Sequence, residues 1–253
     1  MCSLFQALTL SDRLVVTESE TDEVHCPEVA GTNLAAIALA ALRGRGWDGP
    51  PLRIEIDKRV PVAAGLGGGS ADAAAVLRLA RDEVEGIEDL ASALGADVMS
   101  QLDPGLALIG GAGEVVEMLP PPAEYAVVLV PPDAGLPTAD VYAEADRLGL
   151  GRSPEELREL RGRLHAAAGE GASPLGYADL LVNDLQEAAL SLRPEIAGAL
   201  EALGQAGAER SLITGSGPTA FGLFADLAAA DRAASELPPR YAGAIVAAPE
   251  TYA

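Results

Sequence analysis

Residues 61–80 read PVAAGLGGGSADAAAVLRLA. Between Gly65 and Ser70 only Leu66 is neither glycine nor serine. The alanine- and leucine-rich run behind them predicts a helix from about Ser70 to Glu83. Glycine lets the backbone take positive φ and lets its amides approach a ligand closely. A helix start adds N–H groups without intrahelical partners and the positive end of the helix dipole. Together these suit an anion, phosphate above all. A tightly packed turn would use the same residues, with Ser70 as N-cap. No lysine follows the glycines, so the stretch is not a G-x-x-x-x-G-K-[ST] loop. Counting from Gly65, the third glycine place of G-x-G-x-x-G is Ser70, and Pro61 already separates strand from loop. A dinucleotide fingerprint does not fit either.

Working outward, PLRIEIDKRVP alternates with period 2 and predicts a strand with Leu52, Ile54 and Ile56 on one face. GTNLAAIALAALRGRG predicts a helix capped by Thr32 or Asn33 and ended by Gly44 and Gly46. SLFQALTLSDRLVVTES reads as strand, turn, strand. IEDLASALGAD is a helix stopped near Gly95, and GLALIGGAGEVVEML and EYAVVLVPP are strands. Beyond residues 145–150 helices dominate, and the chain then runs helix, strand, strand, helix, strand, as in a small antiparallel sheet backed by helices. Two domains are expected, 1–147 and 148–253.

No apolar run approaches the roughly 18–20 residues of a membrane span, and MCSLFQALTLSDR lacks the basic start and long apolar stretch of a signal peptide. Cys2 and Cys26 are too few for a disulfide framework or a zinc site, so a reducing cytoplasm is expected. The net charge of −21 speaks against nonspecific binding of nucleic acid. The expected partner is a small-molecule substrate, with no membrane and no nucleic acid, and the chain a monomer or weak homodimer.

PVAAGLGGGSADAA resembles the P-x-x-x-G-L-G-[SG]-S/G loop of the GHMP small-molecule kinases. With IDKRVP ahead of it, the triple glycine is similar to the branch of that family serving the non-mevalonate isoprenoid route. SLFQALTLSD and NLAAIALA before the loop agree in order with that branch. So do LGADVMSQLDPGLALIGGAGE, LVPPDAGLPTADVY, VNDLQEAALSLRPEI and ITGSGPTAFGLF after it. The resemblance spans essentially the whole chain. It implies an α+β GHMP kinase fold: an N-terminal ATP-binding domain, a C-terminal ferredoxin-like α/β sandwich and an active site in the cleft between them. It also implies ATP-dependent phosphorylation of the 2-hydroxyl of a methylerythritol moiety, with ATP and Mg²⁺. Pro61, Ala63, Ala64, Gly65, Leu66, Gly67, Gly68, Gly69, Ser70 and Ala71 would hold the ATP phosphates, with Thr214 and Gly215 of the second glycine-rich turn set against them. Asp97 would be the catalytic carboxylate, accepting or orienting the hydroxyl proton. Asn33, Leu34 and Lys58 match positions lining the adenine pocket, and Thr138 a position near the substrate. Read without the family, Asn33, Leu34 and Lys58 are a helix cap, a core leucine and a strand-end surface lysine.

The family opens with a K-[IL]-N-L strand carrying its catalytic lysine, then a G-Y-H motif that reads cytosine. Neither precedes SLFQ here, and Lys58, the only lysine, matches another position. The expectation is a chain started at an internal methionine, short of one strand and impaired in activity. A homoserine or mevalonate type of GHMP kinase, or a catalytically dead nucleotide-binding relative, remain the alternatives. Met99, Ser100 and Gln101 replace the usual proline and aromatics behind Asp97. His25 and His165 have no partner at metal-ligand spacing and are expected at the surface, as are Asp140, Tyr142, Glu155 and Glu156. Asn183 and Asp184 are expected to anchor a turn.

Overall fold

The computed structural model describes residues 1–250. The chain divides into two compact units. One comprises Met1, Ser3–Val62 and Gly67–Glu117; the other comprises Cys2, Ala63–Leu66 and the described residues from Met118 on.

In the first unit the elements run β1 (Cys2–Gln6), β2 (Arg13–Glu18), β3 (Glu23–His25), α1 (Leu34–Gly44), β4 (Leu52–Asp57), α2 (Gly68–Arg78), α3 (Ile87–Leu94), α4 (Ala96–Ser100), β5 (Leu106–Gly110) and β6 (Val115–Leu119). The two N-terminal strands do not pair. β1 joins a sheet of order β1-β5-β6, while β2 joins one of order β2-β4-β3. β2 runs antiparallel to β4, from Arg13 opposite Asp57 to Glu18 opposite Leu52, and β3 runs parallel to it. β4 buries Leu52, Ile54 and Ile56 and exposes Arg53, Glu55 and Asp57, the alternation of a half-buried strand. On the buried face lie α1 and α2. The two helices pack on each other, and Ala35, Ala38, Ala73 and Ala74 are fully buried in the core they share. Leu42, Ile54 and Leu77 complete this core, each contributing about 1.5–3 kcal/mol by leaving water.

α2 starts and stops earlier than Ser70–Glu83. Gly67, at φ +69°, turns the chain straight into the helix, so Gly68 and Gly69 form its first turn and Ser70 is its third residue, not its N-cap. At the far end the chain tightens into i→i+3 turns, with Leu79 N–H bonded to Val76 O and Ala80 N–H to Leu77 O. His25 lies in β3 and is exposed.

In the second unit follow β7 (Ala126–Val130), α5 (Thr138–Leu148), α6 (Pro154–Ala168), α7 (Gln186–Leu192), α8 (Ile196–Gln205), β8 (Arg210–Ile213), β9 (Ala220–Phe224), α9 (Leu227–Glu236) and β10 (Ile245–Ala247). The sheet order is β10-β7-β9-β8, antiparallel throughout. Taking β7, α8, β8, β9, α9 and β10 in order gives the ferredoxin-like β-α-β-β-α-β arrangement, and α8 and α9 bury Leu203, Ala230 and Ala233 against Val128 and Phe224. This is why the unit begins near Met118 and not at residue 148. The sheet needs β7 at its centre, so the expected break falls at the end of α5, inside the second unit. Between β7 and α8 are inserted α5, α6 and α7, with Val141, Ala145, Ala188 and Ala189 buried around Ile196 and Ile213.

Candidate active site

In the first unit, three N–H groups at the start of α2 are left over by helix geometry. Ala71 N–H makes the first helical bond, to Gly67 O at 2.9 Å, and no side chain caps the end. Gly68, Gly69 and Ser70 therefore present amides with no intrahelical acceptor, at the positive pole of an 11-residue helix. A Cβ on Gly68 would fall 2.9 Å from Val60 Cγ1 and 3.2 Å from Lys58 Nζ. Glycine is needed there because other groups fill the space beneath. A Cβ on Gly69 would lie 3.9 Å from Leu34 Cδ1, which brings the start of α1 beside the loop. Asn33 caps α1, its Oδ1 accepting Ala35 N–H at 2.8 Å. The local reading of Asn33 as a helix cap is thus met.

Lys58 has an occupation the sequence did not suggest. Its ammonium bonds Asp12, and Asp72 at 2.9 Å, and its side chain is 5 % exposed. Asp12 Oδ1 also accepts Arg59 N–H at 2.6 Å and Val60 N–H at 2.8 Å. The group implied for the adenine pocket is held on two carboxylates under the glycine loop. The signal was present for Asp72: it lies four residues before Val76, on the buried stripe of α2, where a charge requires a partner. Asp12 carried no such signal.

The tip of the loop, Ala63–Leu66, belongs to the second unit and packs there on the turn between β8 and β9. Ala63, at φ +56°, is the one non-glycine residue with positive φ among the described residues. Such conformations cluster where function over-determines the backbone. Gly65 is at φ +75°, and a Cβ on it would lie 2.3 Å from Gly217 O and 3.3 Å from Thr214 O. Two backbones meet with no room for a side chain. Thr219 Oγ1, buried, donates to Ala64 O at 2.7 Å, and Thr214 Oγ1 to Gly65 O at 3.3 Å. Asn183 secures the turn from behind, its Nδ2 donating to Ile213 O and Gly215 O, both at 2.8 Å, while its Oδ1 accepts Leu185 N–H. Asp184 pairs with Arg152 at 2.6 Å. Thr138 and Ser216 share a hydrogen bond of 3.0 Å between exposed hydroxyls. Thr138, Ser216, Thr214 and Gly65 thus form one polar rim.

Asp97 lies in α4, which packs on α2. Gly113, at φ +119° in the β5–β6 turn, lets that turn press on α4, since a Cβ there would fall 2.2 Å from Ala96 Cβ. Arg78 Nη1 donates to Gln101 O at 2.6 Å and Ser100 Oγ to Asp97 O at 2.9 Å. Met99 packs on the first unit's core and Ser100 is buried. The Asp97 carboxylate has no hydrogen bond or ion pair among the described residues. It opens to solvent on one side, while the surrounding protein desolvates it enough to push its pKa up. His165, Asp140, Tyr142, Glu155 and Glu156 are exposed on helices, with Glu156 closing a capping box on Ser153.

Bare amides for a phosphate chain and an uncommitted carboxylate for a hydroxyl proton are what a small-molecule kinase requires, and both units match such kinases. Residues 33–103 match the GHMP kinases N terminal domain and residues 157–243 the GHMP kinases C terminal domain. The 4-diphosphocytidyl-2-C-methyl-D-erythritol kinase of Rhodococcus jostii (strain RHA1) is 39% identical over 254 residues, covering 93% of this chain and 79% of its own. The enzyme of the same name from Moorella thermoacetica is 36% identical, covering 97% and 89%. A crystal structure of 4-(cytidine 5'-diphospho)-2C-methyl-D-erythritol kinase superposes with a TM-score of 0.81 at 29% identity, covering 99% of this chain and 90% of its own. A homoserine kinase from Cytophaga hutchinsonii shares the fold, at 21% identity and a TM-score of 0.74. The chain belongs to the 4-diphosphocytidyl-2-C-methyl-D-erythritol kinase family, within the GHMP kinases.

Proposed function

We propose that this chain transfers the γ-phosphoryl group of ATP to the 2-hydroxyl of 4-diphosphocytidyl-2-C-methyl-D-erythritol. One observation carries the reading: the match to kinases named for that substrate runs through nearly the whole chain, at 36–39% identity. Phosphoryl transfer asks a protein mainly for positioning and charge stabilisation. The uncapped amides of Gly68, Gly69 and Ser70 suit the nucleotide's phosphates, with Pro61, Ala63–Gly67 and Ala71 shaping the loop and Thr214 and Gly215 its facing turn. Asn33, Leu34 and Lys58 lie beside or beneath the loop and would bound the adenine side. Thr138, tied to Ser216, would meet the substrate. Asp97 would take the proton of the attacking hydroxyl, and its missing partner and partial desolvation both favour a base.

Among the described residues no group of three His, Cys, Asp or Glu could cage a metal ion. Mg²⁺ would come with the nucleotide, which suits its preference for phosphate and water ligands. When bound it supplies charge neutralisation. No helix among the described residues is long and apolar enough to cross a membrane. The free thiols of Cys2 and Cys26 suit work in a reducing cytoplasm, as a monomer or weak homodimer.

The test is ADP release with Mg-ATP and 4-diphosphocytidyl-2-C-methyl-D-erythritol, beside homoserine and mevalonate. Turnover on the cytidylylated substrate alone is expected. Turnover on either of the others instead refutes the substrate, and no turnover on any refutes the kinase activity of this chain.

A further inference from the structure

Directly under the first turn of α2 lies a buried ionic cluster whose two carboxylates have no part in phosphoryl transfer as read above. The side chains of Asp12, Lys58 and Asp72 are 3, 5 and 5 % exposed. Two carboxylates share one ammonium, so with all three ionised the cluster carries one net negative charge. That is an awkward foundation for a loop that grips anions, because a buried charge without full compensation is costly.

The two carboxylates are not equivalent. Asp12 accepts two backbone N–H groups besides the ammonium, whereas Asp72 has only the ammonium. The two carboxyl groups also lie within hydrogen-bonding reach of each other, a contact that works only when one holds a proton. On the strands that carry the cluster, Arg13 lies opposite Asp57, and Arg59 is exposed and paired with Asp57. The Cys26 thiol, with Glu28 behind it, is the next titratable neighbour. α1 offers only Arg43, committed to Asp22. α3 offers Glu88 and Asp89, which act on Arg81 and Arg45. α4 offers only Asp97. None of these supplies the missing positive charge.

Resting on the reading that nucleotide phosphate occupies this helix start, we propose that Asp72 is a proton-linked positioning residue of the nucleotide site. As the phosphates settle on the first turn of α2, Asp72 takes a proton from solvent, and the cluster beneath becomes neutral and closes its carboxyl–carboxylate hydrogen bond. Burial outweighs the pull of Lys58 and already lifts the Asp72 carboxyl to about 6 in the free protein. An added anion nearby lifts it further, since like charge disfavours the ionised form. Coupling is reciprocal, so protonation of Asp72 in turn strengthens nucleotide binding. Affinity therefore rises as pH falls from 8 towards 6. Each unit by which the phosphates raise the pKa gives up to about tenfold in affinity.

Asp72→Asn is the permanently neutral mimic, leaving Lys58 paired with Asp12. Calorimetry of Mg-ADP binding at pH 6.5, in two buffers of different ionisation enthalpy, counts the protons taken up by each protein. The nucleotide's own titration is common to both. The wild type should take up a measurable fraction of a proton more than D72N, and its Kd should tighten with falling pH about tenfold more. A second measurement needs no variant: with ¹³Cγ-labelled aspartate, the backbone-assigned Asp72 carboxyl of the wild type should titrate at higher pH when Mg-ADP is bound. Equal proton counts and parallel pH profiles, or an Asp72 titration that ignores the nucleotide, would overturn the proposal and leave the phosphate site standing. Failure of wild type to bind Mg-ADP at all would instead overturn the phosphate site, and the proposal with it.

Discussion

Replacing Gly65 by alanine puts the meeting of the two glycine-rich turns to a direct test. Gly65 has φ +75°, and the new Cβ would lie 2.3 Å from Gly217 O. The left-handed conformation alone costs an alanine roughly 1–2 kcal/mol. Relieving the overlap needs about 1 Å of backbone separation, since real carbon–oxygen contacts lie beyond 3 Å. That movement takes the 3.3 Å bond from Thr214 Oγ1 to Gly65 O out of range and strains the 2.7 Å bond from Thr219 Oγ1 to Ala64 O. Thr219 is fully buried, and leaving its hydroxyl unpaired costs about 1–3 kcal/mol. The sum is about 2–5 kcal/mol, a fall in Tm of about 5–15 °C for a unit of this size. Thermal unfolding by circular dichroism reads the stability, and calorimetry with Mg-ADP reads the site. Gly162→Ala is the control: Gly162 is exposed within α6, with nothing near its missing Cβ, so the substitution should stabilise by about 0.5–1 kcal/mol. If G65A melts within about 1 °C of wild type and binds Mg-ADP equally well, the close approach of the two backbones is not what holds these turns.

Asp97→Asn should lower kcat by about 10²–10⁴-fold and leave the Mg-ADP Kd nearly unchanged; a large loss of nucleotide affinity would make Asp97 a binding group. Burial raises the Asp97 pKa above 3.8, and the base works only in its ionised form. Activity should disappear as pH falls through that raised value, an acid limb to be measured as log kcat against pH. Asn183→Ala removes two donors from the 214–217 turn and should cost about 1–3 kcal/mol, read by urea unfolding, and an unchanged midpoint would show the turn to be self-supporting. Asp72 carries a stability signature of its own: between pH 3.8 and about 6 the folded protein holds a proton that the unfolded chain has released. Stability should therefore decline as pH rises through that window, by on the order of 3 kcal/mol in all, and D72N should lack this slope.

The loop could be read from sequence because glycine is conspicuous where backbone must do the work of side chains, and β4 because Leu52, Ile54 and Ile56 keep strict alternation. The start of α2 was misplaced by two residues because helix propensity penalises Gly68 and Gly69. Their place is fixed instead by Val60 and Lys58 packed beneath them. The division between the units was set about 30 residues too late because β7 is separated from the next strand of its sheet by four α-helices, and no local pattern announces a partner so distant. Asn183 was recognised as a turn anchor, yet what it anchors, Ile213 and Gly215, follows only from the fold. Lys58 defeated local reading altogether. A lysine at a strand end is ordinarily solvated, and only Asp12 and Asp72, 46 and 14 residues away, make it the centre of a buried cluster.

The position of β7 bears on how the chain is made. Val130 is paired with Ala220, 90 residues further on, and Val127 with Ala247. At roughly 5–20 residues per second of synthesis, AVVLV waits about 5–20 s on the ribosome before β9 emerges, and longer before β10 does. During that interval a wholly apolar five-residue strand has both edges open, the sequence type that seeds intermolecular β-pairing. Closing so wide a separation also raises contact order and slows folding. The second unit should thus fold late, and high expression at elevated temperature should send nascent chains into aggregates through residues 126–130 before the finished protein ever loses stability.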